Sequence, residues 1–339
     1  MDSNSPVRAP GVREVAALAG VSRQTVSRVM NHHPSIREST RLRVLAAMEE
    51  LEFRPNRAAR MLSTSRSNTI GILASSASSL FGPASSIDAV EKAAREAGYF
   101  VTIAHLAAVT PDEIGAALDH LAAQAVEGIV VVAPQEPVLD AMRSVSIGVP
   151  SVTLHGAQEP GGDGVFVDQV AGARLATRHL IELGHTTIGH IAGPPDWAEA
   201  SARQRGFLAE VEEAGVTGIV SQPGDWTSAS GYEAGVGMLA DPRITAVFSS
   251  NDQMALGVLH ALREAGRLVP GEVSVVGFDD IPEAAYFAPP LTTVRQDFGE
   301  LGRRCVARLL AAIDGEQASG EPAVSPVLVV RESTGPAPD

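Results

Sequence analysis

From Thr69 onward, short apolar runs alternate with longer amphipathic stretches, and that alternation confines most of the chain to a parallel α/β architecture. Strands are expected at Ile70–Ala74, Phe100–Ala104, Gly128–Ala133 and Ser151–Leu154, with helices near 84–97 and 111–125. A second series follows. Its strands fall near Val165–Val167, Ile188–Ala192, Ile219–Ser221, Ala246–Ser249 and Val273–Gly277, and its helices near 169–183, 199–214, 228–240 and 252–265. The pattern runs through twice, so the expected fold is two doubly wound parallel-sheet lobes. Ligands on such sheets bind beyond the carboxyl ends of the strands, which places the expected site in the cleft between the lobes. The tail Gly335–Asp339 carries no apolar pattern and is expected to lack order.

The first 55 residues read differently. Val12, Val15, Ala16 and Ala19 fall at helical spacing, and Gly20 then offers the positive φ of a tight turn. Ser22 is placed to cap a second helix, Arg23 to Met30, which turns Val26 and Val29 inward. Its outer face keeps Ser22, Arg23, Gln24, Ser27 and Arg28. A third helix is expected from Glu38 to Leu51, with Leu42, Leu45, Ala46, Met48 and Leu51 as its apolar residues and Ser35 with Glu38 at capping-box spacing. Pro55 ends this helix-turn-helix domain. Residues 56–63 form a short Ala- and Arg-rich stretch that is helical in pattern, and 63–68 read as a linker, so 56–68 join the head to a bilobed body at 69–333.

Charge separates the two parts. The chain of 339 residues carries a net −14, yet residues 1–66 hold eleven Arg against six acidic residues, 11 − 6 = +5, which leaves −19 for the remainder. Only the amino-terminal segment has the electrostatics to approach phosphates. On charge alone, a solvated basic face is an equal reading. The first eleven residues are polar and lack a signal-peptide core, no apolar run is long enough to span a bilayer, and Cys305 is the single cysteine. These features fit a reducing cytoplasm, with Cys305 as a packing residue.

No nucleophile elbow, phosphate loop or zincin motif is present, and the nine histidines lack metal-ligand spacing, so neither metal nor cofactor is expected. His179, His185 and His190 around one helix–strand connection read as structural. What stands out is a set of polar residues just after strand ends: Asn251-Asp252, Asp279-Asp280, Arg205 in the following helix, and Trp226 in a Gly-Asp-Trp loop. Taken singly, each fits a helix cap or a surface ion pair. Together, Arg, Asp and Asn around an indole suit a polyol, whose hydroxyls both donate and accept.

These segments also resemble a known family. Residues 11–31, Arg54-Pro-Asn-Arg-Ala-Ala-Arg-Met-Leu, Ser201-Ala-Arg-Gln-Arg-Gly-Phe, Gly224-Asp-Trp, Ser250-Asn-Asp-Gln-Met-Ala-Leu-Gly, Val276-Gly-Phe-Asp-Asp and Pro289-Pro-Leu-Thr-Thr-Val-Arg-Gln-Asp-Phe resemble the lactose/galactose repressor family in family order. Within it they are most similar to the lactose repressor branch. The resemblance covers about residues 12–333.

The resemblance implies a helix-turn-helix head with two periplasmic-binding-protein-type lobes, about 69–167 with 296–322 and about 168–295 with 323–333. It implies that Arg23, Gln24 and Arg28 read base edges, with Ser22, Thr25, Ser27 and Asn31 assisting. Asn56 and Arg57 belong to a hinge helix that orders on DNA, and Leu62 matches a residue wedged into the minor groove. For the effector it implies Leu80, Pro83, Arg205, Trp226, Asn251, Asp279, Gln296 and Phe298. Two positions depart from the branch. His155 stands where an acidic ligand is found, and Val132 stands where an Asn is found. The chain stops soon after Arg331 without leucine heptads, which favours a homodimer on a two-fold operator.

The expected function is therefore a cytoplasmic repressor that a galactoside-like sugar releases from operator DNA. The alternatives are a purine corepressor, a sugar-binding transport protein and a sugar-processing enzyme built on Asp279-Asp280. The last two are disfavoured by the head domain and by the adjacency of those two carboxylates.

Overall fold

The computed structural model describes residues 10–30, 33, 35–54, 61, 66–75, 81–106, 108, 110–132, 135, 137–138, 140, 147–154, 164–316 and 323–338. The chain divides into two compact units, Met1–Ser67 and Asn68–Asp339.

In the first unit, α1 (Val12–Ala19) stops at Gly20, whose φ of 63° reverses the chain. The helix α2 (Arg23–Met30) starts where the Thr25 N–H donates to Ser22 Oγ at 3.0 Å. The helix α3 (Glu38–Glu50) closes the unit. Val15, Ala16, Ala19, Val26, Val29, Val44, Ala47 and Phe53 make the core.

Two expectations for α3 need correction. Its buried residues are Val44 and Ala47, whereas Leu42 and Leu45 are 58% and 48% exposed. The helix carries apolar residues on more than one face, so spacing alone did not select the inner one. Small Val and Ala let it approach two helices of eight residues each. The capping box also fails to form, because Ser35 Oγ pairs instead with His33 Nδ1 at 2.9 Å.

The second unit opens with β1 (Thr69–Ala74), α4 (Phe81–Glu96), β2 (Phe100–His105), α5 (Pro111–Ala123), β3 (Gly128–Val132), β4 (Ser151–Leu154) and β5 (Gly164–Val165). These strands form a parallel sheet in the order β2-β1-β3-β4-β5. β1 and β3 are buried throughout, as strands covered on both faces must be.

The second lobe holds α6 (Gln169–Glu182), β6 (Thr187–Ile191), α7 (Ala198–Ala214), β7 (Thr217–Val220), α8 (Ser228–Met238), β8 (Ala246–Ser249), α9 (Asp252–Glu264), β9 (Ser274–Asp279) and a 3₁₀ turn at Pro282–Tyr286. It is completed by β10 (Thr292–Arg295) and β11 (Val327–Val329), in the order β11-β10-β9-β8-β6-β7. Between those two strands α10 (Phe298–Ile313) returns to the first lobe, where Leu301, Cys305, Val306 and Leu309 pack on Ile70, Val130 and Val152. Cys305 is fully buried there and burial pushes its thiol up, as expected for a packing residue.

The pattern missed β10 and the edge strand β11, which pair antiparallel. It also misjudged the tail, which is ordered through Pro338. Gly335 N–H donates to Ser274 Oγ at 3.0 Å, and Ala337 N–H to Leu183 O at 2.9 Å. His179 Nε2 meets Thr334 Oγ1 at 3.0 Å, and His185 bridges Thr245 and Ser274.

His190 is sandwiched between Phe207 and Phe248 at centroid distances of 5.0 and 4.9 Å, with Nδ1 3.1 Å from Phe248 O. Burial, aided by the positive Arg203 and opposed by the Phe248 carbonyl, lowers its pKa from 6.5 to about 4. The unfolded chain therefore binds the extra proton between those values. Stability is complete above pH 6.5 and falls as the pH drops from 6.5 towards 4, by about 3 kcal/mol for this residue. Urea midpoints measured from pH 7 to pH 4.5 should show this slope, and His190→Phe should make it shallower, leaving the smaller contribution of His179 and His185, whose pKa values burial also lowers.

Candidate functional site

The carboxyl ends of the second sheet bring four buried polar side chains into a closed ring. Asp279 ends β9 with φ 106°, a conformation unusual for a residue with a side chain. Its Oδ1 accepts from Gln296 Nε2 at 2.6 Å and pairs with Arg203 Nη2 at 3.4 Å. Gln296 Oε1 accepts from Gln169 Nε2 at 2.8 Å, and Gln169 Oε1 accepts from Arg203 Nε at 2.8 Å. Arg203 Nη1 donates to Ser250 O, and its guanidinium lies 3.9 Å over the Phe278 ring. A guanidinium has five N–H groups. These contacts engage all three of its nitrogens.

Asn251 caps α9 by accepting from Met254 N–H at 2.8 Å, and its Nδ2 donates to Trp226 O at 3.1 Å. The cap thus also holds Trp226 at φ 73° with its indole against Gly193. Trp197 meets Trp226 edge to face at 5.2 Å. Behind the ring, Asp252 is fully buried and accepts from Ile281 N–H and the Thr293 hydroxyl. Burial, and then the Asp279 carboxylate, push its carboxyl well above the usual range.

Phe81, Gly82 and Pro83 of the first lobe face Trp197, Glu199, Arg203, Trp226, Asn251, Gln253, Asp279 and Gln296 across a tight recess of about 30 Å³. Pro83, Trp226, Asn251, Asp279 and Gln296 therefore come together as the sequence suggested. Phe298 stands outside the lining, 5.9 Å edge to face from Phe81. Leu80 and His155 lie outside the described residues.

Arg205 is a correction. It is exposed, and Arg203 is the arginine in the cleft at 3% exposure. A two-residue offset turns a helical side chain through about 200°, slightly more than a half-turn, and spacing from the strand did not fix that rotation. Val132 is fully buried in the core of the first lobe. The sequence reading missed Trp197, Glu199, Gln169 and Phe81. Trp197 and Glu199 follow β6 closely, so the strand-end reasoning that picked out Trp226 would have reached them.

A larger recess of about 500 Å³ lies beside β7 and α8. Its Ser221 and Ser230 hydroxyls are engaged by Gln222 O and Thr227 O, and it gathers no comparable ring. Among the described residues no group of three or more His, Cys, Asp or Glu could hold a metal.

In the first unit, Ser22, Arg23, Gln24 and Arg28 are exposed on α2, with Thr25 and Ser27 half-buried beside them. The helix has two arginines and no acidic residue. Asn31, Asn56, Arg57 and Leu62 lie outside the described residues.

A helix-turn-helix unit with a bare basic helix, followed by two parallel-sheet lobes around a polar cleft, defines a ligand-responsive DNA-binding regulator. Residues 12–56 match the model of bacterial regulatory proteins of the lacI family, and residues 177–334 match a periplasmic binding protein-like domain. The lactose operon repressor of Escherichia coli (strain K12) is 34% identical over 325 residues, 95% of this chain and 89% of that protein. The PurR repressor of Proteus mirabilis (strain HI4320) is 36% identical over 338 residues, 96% and 97% of the two. A lac repressor dimer solved with operator and the anti-inducer ONPF superposes with a TM-score of 0.83 at 33% identity, covering 97% of this chain and 100% of that one. The regulator CelR solved with cellobiose gives 0.67 at 33% identity, covering 96% and 99%. The chain belongs to the lacI family of bacterial regulatory proteins.

Proposed function

We propose that this chain represses transcription as a homodimer on operator DNA and is released when a sugar enters the cleft. The observation that carries the reading is the ring of Arg203, Gln169, Gln296 and Asp279 beside Trp226. It offers charged donors and acceptors around an indole face, the surroundings a polyol needs. CelR, solved with cellobiose, has the same architecture.

On the head, Arg23, Gln24 and Arg28 read base edges, with Ser22, Thr25, Ser27 and Asn31 holding phosphates, and Asn56, Arg57 and Leu62 serve the hinge. By linkage, a sugar that weakens operator binding binds the DNA-free form more tightly by the same factor. An enzymatic reading of the aspartate pair is disfavoured, because Asp280 is taken up by Arg295 and Arg331, each at 2.6 Å. A purine corepressor is the second reading, favoured by the 36% identity to PurR.

The test is an operator duplex selected from a random pool and titrated by fluorescence anisotropy at fixed salt. Neutral sugars should weaken binding and hypoxanthine should leave it unchanged. Strengthening by hypoxanthine would replace the inducer reading with the corepressor one. On the same duplex Gln24→Ala should cost about 1–3 kcal/mol, roughly 5- to 150-fold, and relax the sequence requirement at one base position.

A further inference from the structure

At the amino ends of the first sheet, one side chain ties three strands together. β1 lies between β2 and β3, and the residues that immediately precede these strands are Asn68, Tyr99 and Glu127. Glu127 Oε1 accepts from the Asn68 N–H at 2.7 Å, and the Tyr99 hydroxyl stands 3.5 Å from Oε2. Main chain completes the clasp. Phe100 N–H donates to Asn68 O and Glu127 N–H to Thr69 O, each at 2.8 Å.

Asn68 is the last residue before β1 and the first of the second unit, so the clasp holds the point where the linker meets the body. Its φ of 48° lies in the left-handed region, which turns the chain there instead of extending β1 backwards. A terminal N–H of a strand readily frays, but here a charged acceptor 59 residues away takes it, in a stronger bond than a neutral one. The acceptor itself is firmly carried. Val126 is buried on one side of Glu127, and on the other a Cβ at Gly128 would stand 2.8 Å from Leu309 Cδ1 of α10. That helix begins two residues after Gln296 of the cleft ring.

We infer that Glu127 is a positioning residue for the head. By holding Asn68 it fixes the place and direction from which the linker leaves the body, and with them the separation at which the two heads of a dimer meet their half-sites. This rests on the proposed dimer-on-operator reading and adds a residue to it. One base pair advances a half-site by about 3.4 Å along the duplex. A tether that starts from a frayed strand end absorbs that displacement, whereas one that starts from a held and turned residue resists it.

Fluorescence anisotropy of the full chain tests the inference on three duplexes. One is the operator selected from a random pool, and the others carry one base pair inserted or removed between its half-sites. The unsubstituted chain should bind both altered duplexes roughly 10-fold more weakly than the parent, or worse. Glu127→Ala removes the acceptor, and Glu127→Asp keeps the charge on a side chain one methylene shorter. Both should narrow the penalty to within about threefold. Glu127→Gln keeps an oxygen acceptor at the same reach and should retain most of the penalty. Ile114→Val, a cavity-forming change on α5 of the same lobe, should leave it intact, which separates lost stability from lost positioning. Should Glu127→Ala fail to fold by circular dichroism, the Asp and Gln variants carry the same comparison. A folded Ala or Asp variant that keeps the full penalty overturns the inference and leaves the operator reading standing. An unsubstituted chain that binds all three duplexes alike does the same. No binding to any selected operator overturns both.

Discussion

Arg203→Ala is expected to destabilise the two-lobed unit by about 3–5 kcal/mol and to abolish the response to ligand. The guanidinium is 3% exposed and spans Gln169, Ser250 O and Asp279. Its removal leaves the Asp279 carboxylate buried, with Gln296 as its remaining bonded neighbour in the ring. Most of the cost comes from leaving a buried carboxylate without its guanidinium rather than from the pair itself. The double variant Arg203→Met/Asp279→Asn removes both charges and should regain most of the stability, yet ligand binding should stay lost. Arg205→Ala should change stability by no more than about 0.5 kcal/mol, since its side chain is exposed. Urea denaturation with a ligand titration on each variant separates these outcomes. An Arg205 variant that loses the ligand response while Arg203→Ala keeps it would reverse the assignment.

That contrast shows what the sequence could and could not express. The alternation of strands and helices was legible because burial on both sheet faces demands continuous apolar runs such as Ile70–Ala74 and Gly128–Val132. Asn251 and Asp279 were legible because they directly follow or end a strand, where residue count equals position. Arg203 was not, because its side-chain direction depends on where α7 begins, and α7 begins after Trp197 without a side-chain cap to mark the start. Gln169 was hidden for a different reason. It belongs to α6, 127 residues from Gln296, and only the tertiary fold joins them. On α3 the failure was one of excess, since Leu42 and Leu45 offered an apolar stripe as plausible as the Val44–Ala47 face. β11 escaped because three residues carry too little pattern to stand out.

Gly257→Ala is expected to be as damaging as the loss of Arg203, although no polar group is touched. α8 and α9 pack backbone to backbone at Gly231 and Gly257. A Cβ at Gly257 would overlap Ser228 O and Tyr232 N and would stand 2.8 Å from Gly231 C. A Cβ at Gly231 would in turn stand 2.7 Å from Met254 C. These obstacles are main chain rather than the ends of flexible side chains, so the helices must separate. Overpacking that a core relieves by rotamer shifts costs about 1–3 kcal/mol, and here that relief is closed, so about 3 kcal/mol or more is expected. For a unit of this size that is a fall in Tm of roughly 6–12 °C. The separation also reaches the cleft, because α9 starts at Asn251, which holds the Trp226 loop through its Nδ2. Ligand affinity should therefore fall even at temperatures where Gly257→Ala remains folded. Gly237→Ala on α8 is the control. No atom lies within 4 Å of the added Cβ there, and the change should stabilise the helix by about 0.5–1 kcal/mol. Equal melting temperatures for the Gly257 and Gly237 variants would show that the two helices tolerate a wider spacing, and the rigid seating of Asn251 would fall with that result.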